Sequence, residues 1–170
     1  MELRGAKTAD APALAALGQK SFCAAFAHLY DPSDLNTFLK SAYDLAGVER
    51  EIADPLFQHR LAFDDGRLVG FTKVKLTSSY GAYSDASRPI FLSQLYTDPA
   101  MTGQGIGARL IDWVFATAKS VEADAIQLSV WSENFGAQKF YRRYGFNKIA
   151  DIDFWVGNHR DDEFLMEVKI

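Results

Sequence analysis

Nine residues, Thr102-Gly103-Gln104-Gly105-Ile106-Gly107-Ala108-Arg109-Leu110, constrain this chain more than any others, because three glycines at alternate positions run straight into an amphipathic helical pattern. Glycine lets the backbone approach a ligand with no Cβ in the way. The free N–H groups of a first helical turn, aided by the positive end of the helix dipole, then point at an anion. The stretch is expected to bind a phosphate, and its surroundings must decide which phosphate-bearing molecule.

Letter by letter, Gly103-x-Gly105-x-x-Ala108 satisfies the dinucleotide fingerprint, and Glu133 stands near where a ribose-binding acid would fall. Two features oppose that reading. In a dinucleotide fold the strand runs directly into the glycines, whereas Asp98-Pro99-Ala100-Met101-Thr102 intervene here. Only 62 residues follow Ala108, too few for the remaining strands of a six-stranded doubly wound sheet, although a partial one stays open. A Walker-type loop is excluded, since no Gly-Lys-Ser/Thr is present.

Along the chain, a short N-terminal strand leads to Asp10, placed to cap a helix with Pro12 in its first turn and Leu14, Leu17, Phe22, Ala25, Phe26 and Leu29 at helical spacing. Asp31-Pro32-Ser33-Asp34 breaks that helix, and residues 31–54 read as a helical insert. Two apolar runs, 56–63 and 68–76, flank Asp64-Asp65-Gly66-Arg67 and predict a hairpin. A polar surface loop over 77–88 precedes a third strand over 89–97. After the glycine loop, Ile106, Leu110, Trp113, Val114 and Ala118 form a helical stripe, and Ile126, Leu128 and Val130 alternate as a strand. Ala137, Phe140, Tyr141 and Tyr144 mark a short helix from Asn134, with Gly145 at its left-handed end. Runs over 146–155 and 163–168 close the chain as a hairpin across a polar loop, 157–162.

A chain of 170 residues, 48% hydrophobic and 24% charged, fits one globular domain spanning 1–170. Its net charge of −4 is spread rather than blocked, so no basic face marks a nucleic-acid partner. The single cysteine, Cys23, forms no intramolecular disulfide and suits a reducing, cytoplasmic setting. Charges in Met1–Gly5 are incompatible with a signal peptide, and no apolar run approaches the roughly 18 residues of a membrane span. The expectation is a protein in solution, with no membrane partner.

Strand, helix, helix, three strands, glycine loop, helix, strand, helix and closing strands resemble the GNAT superfamily of N-acetyltransferases. Leu95-Tyr96-Thr97-Asp98-Pro99, the glycine loop, and Asn134-x-x-Ala137-x-x-Phe140-Tyr141-x-x-x-Gly145-Phe146 are similar to that superfamily's acetyl-CoA signatures in order and spacing. Within it, Ser21-Phe22-x-x-x-Phe26-x-His28-Leu29-Tyr30, Ser129-Val130-Trp131-x-Glu133-Asn134 and Phe154-x-Val156-Gly157-x-x-x-Asp161 resemble the bacterial PaiA-like branch that acts on spermidine and spermine. The resemblance implies an α/β (α+β) fold with a mixed, mostly antiparallel central sheet flanked by helices. It places the 31–54 insert near an acceptor groove.

It also implies an activity: transfer of acetyl from acetyl-CoA to a primary amine of a small molecule, a polyamine among the candidates, by direct attack in a ternary complex. A peptide or protein N-terminal acetyltransferase and a non-catalytic CoA-binding sensor are the alternatives. The CoA pyrophosphate is assigned to the backbone of Thr102, Gly103, Gln104, Gly105, Ile106, Gly107 and Ala108, where Thr102 stands in place of the family's usual Arg or Gln. The pantetheine arm is assigned to the amides of Leu95, Tyr96 and Thr97, with the Leu95 N–H a candidate oxyanion donor. Tyr141 is the candidate general acid, since a phenol can protonate a leaving thiolate, and its bland reading is packing beside Phe140. Asn134 reads equally as a helix cap and as a CoA contact.

The general base has no obvious candidate. Phe91, Leu92, Ser93 and Gln94 fill the strand where many relatives carry a Glu, which leaves a relay through Ser93 or an acid such as Asp85 or Glu133. Phe26, Tyr30, Tyr80 and Trp155 are candidates to line the acceptor groove, while spacing assigns Phe22 to the core. His28, His59 and His159 lie on separate elements, so no metal is expected. A homodimer is compatible with all of this.

Overall fold

Turn chemistry and alternation set the sheet, and the structure, a computed structural model, describes residues 1–170. Strand β1 (Glu2–Gly5) pairs with β2 (Phe57–Asp64), which returns through Asp65-Gly66 into β3 (Arg67–Lys75). Those two residues have φ of 46° and 76°, the left-handed pair that a type I′ hairpin requires. Strands β4 (Pro89–Thr97), β5 (Ala125–Trp131), β6 (Asn147–Val156) and β7 (His159–Lys169) complete a seven-stranded sheet of order β1-β2-β3-β4-β5-β7-β6. Every neighbouring pair is antiparallel except β4 and β5.

That one parallel ladder is short. It joins Pro89 to Ala125, Ile90 to Ile126 and Phe91 to Gln127, and beyond Phe91 the two strands are unpaired with each other. On its other side β4 carries a bulge: Lys73 pairs with Gln94 while Val74 pairs with Leu92, which leaves Ser93 as the extra residue. A bulge bends its strand and increases the local twist, and here it sits where the sheet splays open.

Helices cover both faces of the sheet. Leu61 and Phe71 pack with Leu14 and Leu17 of α1 (Ala11–Phe26), whereas Ala62, next along β2, and Val69, the extra residue of a bulge in β3, pack with Ile106 and Leu110 of α4 (Ile106–Ser120). The largest cluster joins Ile111, Val114 and Ala118 of α4 to Ile126, Leu128, Phe146 and Met166. Each Leu, Ile or Phe so buried contributes about 1.5–3 kcal/mol. Gly70 permits this contact: a Cβ there would stand 2.7 Å from Cγ2 of Ile106, at the very start of α4.

The helical insert forms two helices, α2 (Pro32–Ala42) and α3 (Leu45–Ala53). Asp31 accepts the Ser33 N–H at 2.9 Å, and Asp44 accepts the Gly47 N–H at 2.8 Å, so each helix begins on its own aspartate. The short α5 (Phe135–Arg142) is followed by Gly145 with φ of 88°.

Two expectations are corrected. Asp10 stands at the N-cap position of α1 but caps nothing. Its carboxylate takes a two-pronged pair with Arg4 at 2.7 and 2.8 Å and the Lys7 N–H at 2.7 Å, and these bonds, two of them a fork to a cation, engage both oxygens. Residues 157–162 are not a loop, because β7 already begins at His159 and the turn is only Gly157-Asn158, with Gly157 at φ of 57°. The polar residues at the start of β7 find partners within the sheet: Arg160 pairs with Asp153 at 2.6 Å and with Asp162 at 3.0 Å. No helix is long and apolar enough to cross a membrane.

Candidate functional site

The glycine loop begins on an anchored aspartate. Asp98 accepts the Ala100 N–H at 3.0 Å and so starts a single 3₁₀ turn over Pro99–Met101. Its side chain is buried between Lys20 of α1, at 2.8 Å, and Arg67 of β3. The Lys20 ammonium, with the Ala100 amide, holds this carboxyl down at about 2. The loop is thereby tied to both α1 and the sheet before the glycines start.

Gly103 and Gly105 have φ of 83° and 77°, and a Cβ built on either meets nothing within 4 Å. Their requirement is therefore conformational, and the space beside them is open. Gly105 occupies the N-cap of α4 with no side chain capping the helix, and the first turn closes only when Arg109 N–H reaches Gly105 O at 3.2 Å. The preceding amides lack acceptors within the helix, an arrangement that can receive an anion. Thr102 and Gln104 fold their side chains back onto Pro99 O, at 3.0 Å, and the Met101 sulfur, at 3.4 Å. Gly107 serves a different need, since its Cβ position lies 3.6 Å from the Phe140 ring and brings α4 against α5.

Beyond Phe91 the splayed strands enclose a cavity of about 420 Å³. In a strand pair every second residue directs its N–H and C=O toward the partner and the intervening ones point away. With β3 on one side, alternate residues of β4 beyond Phe91 present these groups to the cleft. Ser93, Gln94, Leu95 and Tyr96 line it from β4, Ser129 to Trp131 from β5, and Asn134, Ala137 and Tyr141 from α5. Phe22 and Phe26 of α1 and the two helices of the insert form the outer wall.

Tyr141 is wedged edge-on against Phe140 and Phe146, with ring centroids 5.2 and 5.6 Å away. Burial pushes its phenol above the ordinary range, so it enters any reaction protonated. A thiolate in the same desolvated space has its own pKa raised by the same cause, which keeps the two groups comparable. The amide of Gln138 binds Trp131 O at 3.2 Å and Ser132 O at 2.9 Å, fixing α5 to the end of β5 and Tyr141 with it. Tyr96 also lines the cavity: burial lifts its phenol to about 12, while the neighbouring Tyr43 hydroxyl opposes the rise. The three aromatic hydroxyls thus form a neutral, proton-bearing floor.

Other residues sort cleanly. Asn134 caps α5 by accepting the Ala137 N–H at 3.0 Å and also borders the cavity. Thr97 lies just outside, its carbonyl accepting the Ser21 hydroxyl at 3.1 Å. Of the aromatics expected to line the acceptor side, Phe26 does so. Tyr30 is instead buried, stacked on Phe22 and bonded to Asp161; α1 ends at Phe26, and the extended backbone at Tyr30 sets its ring in a core cluster with Tyr43 and Val156. Tyr80 packs on Phe91 and Tyr83, and Trp155 is 56% exposed on the edge strand, where the neighbouring Phe154 takes the inward position. Asp85 is tied to Lys169 at 2.5 Å away from the cavity, and Glu133 is exposed beside it without lining it.

Several cavity residues escaped the sequence. Tyr43, Asp44 and Glu51 belong to the insert, where only the helical stripe was legible. Glu163 lies opposite Trp131 in the β5–β7 ladder and reaches the cavity from the far strand. Its signal was a carboxylate in register with the inward-facing Leu165, visible once the strand's start is known. The cavity's acidic and basic side chains other than its phenols are Asp44, Glu51 and Glu163 against Lys73, which pairs with Glu51 at 2.7 Å.

Comparison with known proteins agrees with this geometry. An uncharacterized N-acetyltransferase of Mycobacterium tuberculosis is 29% identical over 157 residues, covering 92% of this chain and 96% of that one. The spermine/spermidine N(1)-acetyltransferase of Bacillus subtilis is 28% identical over 91 residues, 53% of this chain and 59% of its own. Among solved structures, the PaiA N-acetyltransferase of Thermoplasma acidophilum in complex with coenzyme A superposes with a TM-score of 0.82 at 22% identity, covering 99% and 98% of the two chains. The Acetyltransferase (GNAT) family profile matches residues 23–146, which include the splayed strand, the glycine loop and the Asn134–Phe146 block, and the chain belongs to that family.

Proposed function

We propose that the protein transfers an acetyl group from acetyl-CoA to a primary amine of a small cationic molecule, with polyamines as the favoured acceptors. The observation that carries this reading is an arrangement: the uncapped glycine loop leads into α4, whose Gly107 packs against Phe140 of α5 and Leu95 of β4, and the cavity next to these elements is lined by the splayed strands and by the buried phenol of Tyr141. These residues fit the donor, because both left-handed glycines leave open space where a phosphate would approach. Acetyl-CoA supplies an activated thioester; the chain supplies the rest.

The loop amides of Gly103 to Ala108 hold the pyrophosphate, and the free amides of Leu95 and its neighbours hold the arm and polarise the carbonyl. Tyr141 gives its proton to the departing sulfur. The acceptor enters from the side of α2 and α3, where three carboxylates against one lysine favour a cation. The Bacillus relative, named for spermine and spermidine, adds support for that acceptor class.

Release of free thiol from acetyl-CoA, followed over a panel of amines, tests the reading. Spermidine is expected to accept, and Tyr141→Phe to slow release by roughly 10²–10⁴-fold with CoA affinity unchanged. CoA binding without turnover on any amine would instead identify a sensor.

A further inference from the structure

We propose that Glu163 of β7 is the general base of the reaction, supplied from the strand on the far side of the cleft. This rests on the acetyltransferase reading above.

The case begins by elimination among the carboxylates within reach. Asp44 is engaged at the start of α3, and Glu51 is neutralised by Lys73. Asp85 and Glu133 do not line the cavity. Glu163 does, its Oε2 is buried, and no group of the protein hydrogen-bonds that oxygen. No ion pair reaches this side chain either, since the cavity's lysine is committed to Glu51. A buried carboxylate oxygen without a partner is costly to a fold, so a purely structural role leaves Glu163 unexplained. A proton acceptor needs a free lone pair, and Glu163 is the cavity carboxylate that keeps a buried oxygen without a hydrogen-bond partner.

Its setting suits the task. Burial, the larger influence, pushes its pKa up, and the neighbouring Ser129 hydroxyl of β5 opposes that rise. The groups that face it are Tyr80 from the segment before β4, Tyr96 from β4, Tyr30 from the α1–α2 junction and Asp161 on its own strand. All three phenols are raised and therefore neutral, so Asp161 is the only neighbouring charge among them, and its sign also raises Glu163. On the opposite wall stand Asp44 and the Lys73–Glu51 pair. A base shifted toward neutral pH is matched to its work.

The proton inventory closes with two residues. The amine nitrogen forms a bond to the thioester carbonyl carbon, and its N–H proton becomes acidic as that bond forms. Glu163 accepts this proton, the C–S bond breaks with its electron pair going to sulfur, and Tyr141 protonates the thiolate. The products are the acetamide and CoA thiol. Exchange of protons with water then resets both side chains.

The experiment measures thiol release by the full chain with acetyl-CoA and spermidine across pH 5.5 to 9.5, alongside calorimetric CoA binding. For Glu163→Gln, kcat is expected to fall by about 100-fold or more, with CoA affinity retained and the acidic limb of the kcat profile abolished. Glu163→Asp, which keeps the carboxylate but withdraws it, is expected to lose part of the rate and retain the limb. The assignment is overturned if Glu163→Gln raises only the spermidine KM, which describes an ammonium anchor, or if its pH profile matches the wild type. It is equally overturned by a Glu163→Asp variant with full kcat and an unmoved profile. Absence of turnover by the wild type on every amine, with CoA bound, refutes the underlying reading and this assignment together; wild-type turnover with an unaffected Glu163→Gln refutes the assignment alone.

Discussion

Replacing Gly105 by alanine separates the two things this residue is required to do. Its φ of 77° lies in the left-handed region, where a Cβ costs about 1–2 kcal/mol. Nothing lies within 4 Å of the added methyl, so no packing penalty joins that cost. For a chain of this size each kcal/mol lowers Tm by about 2–4 °C, which predicts a loss of roughly 2–8 °C in a thermal melt. The same methyl stands beside the uncapped amides of α4 and keeps a phosphate from them. Losing one hydrogen bond to a charged group costs about 1.5–3 kcal/mol, so the Kd for CoA is expected to rise by roughly 10- to 150-fold. A truncated donor, S-acetylpantetheine, carries no pyrophosphate, and the variant is expected to use it at the wild-type rate. An unchanged Kd for CoA would refute the phosphate cradle. A drop in Tm beyond about 10 °C would refute the open space around Gly105.

Two pH-dependent outcomes follow from buried charges. Asp98 has a folded pKa of about 2, below its unfolded value, so its contribution is complete above about pH 4 and is lost as pH falls toward 2. Asp98→Asn is expected to flatten that part of an acid-unfolding curve, and an identical curve would show that Lys20 and Arg67 do not hold the loop through its charge. His59 is buried on β2 with Nε2 unpartnered, and burial lowers it to about 4. The unfolded chain therefore binds the extra proton between about pH 6.5 and 4, and stability falls with acidification across that window by at most about 1.4 kcal/mol per pH unit. Urea titrations at pH 7 and pH 5 are expected to show this loss in the wild type and a smaller one in His59→Leu, whereas equal losses would exclude His59 as its source.

Much of this architecture was legible because local chemistry and global fold agree. Asp65-Gly66 names its hairpin, Asp31 names a helix start, and the apolar alternation of 125–131 names a central strand. What the sequence hid has physical causes. Asp10 looked like a cap because capping is local, but its partner Arg4 lies on the preceding strand and binds it more strongly. His159 to Asp162 looked like a loop because polarity was read as exposure, while in an edge hairpin polar residues pair across strands. Tyr30 and Trp155 shared aromatic character with Phe26, yet the point where α1 ends and the pairing of β6 with β7 decide which of them faces the cavity. Glu163 was invisible for the same reason: its meaning depends on being opposite Trp131, a relation between strands that no local pattern encodes.

The three-pair ladder between β4 and β5 has a consequence for how this protein stays apart from others. An unpaired strand edge is normally a hazard at the rim of a sheet, where any extended chain can add to it and start aggregation. Here a free run of edge lies in the middle of the sheet, with α5 and the insert helices lining the space beside it. A polypeptide strand needs about 4.8 Å on each side and a straight approach, which the wedge between β4 and β5 denies it. A slender molecule carrying its own amides meets no such obstacle. The same broken ladder that weakens the sheet therefore filters by cross-section, admitting a ligand and refusing a neighbour.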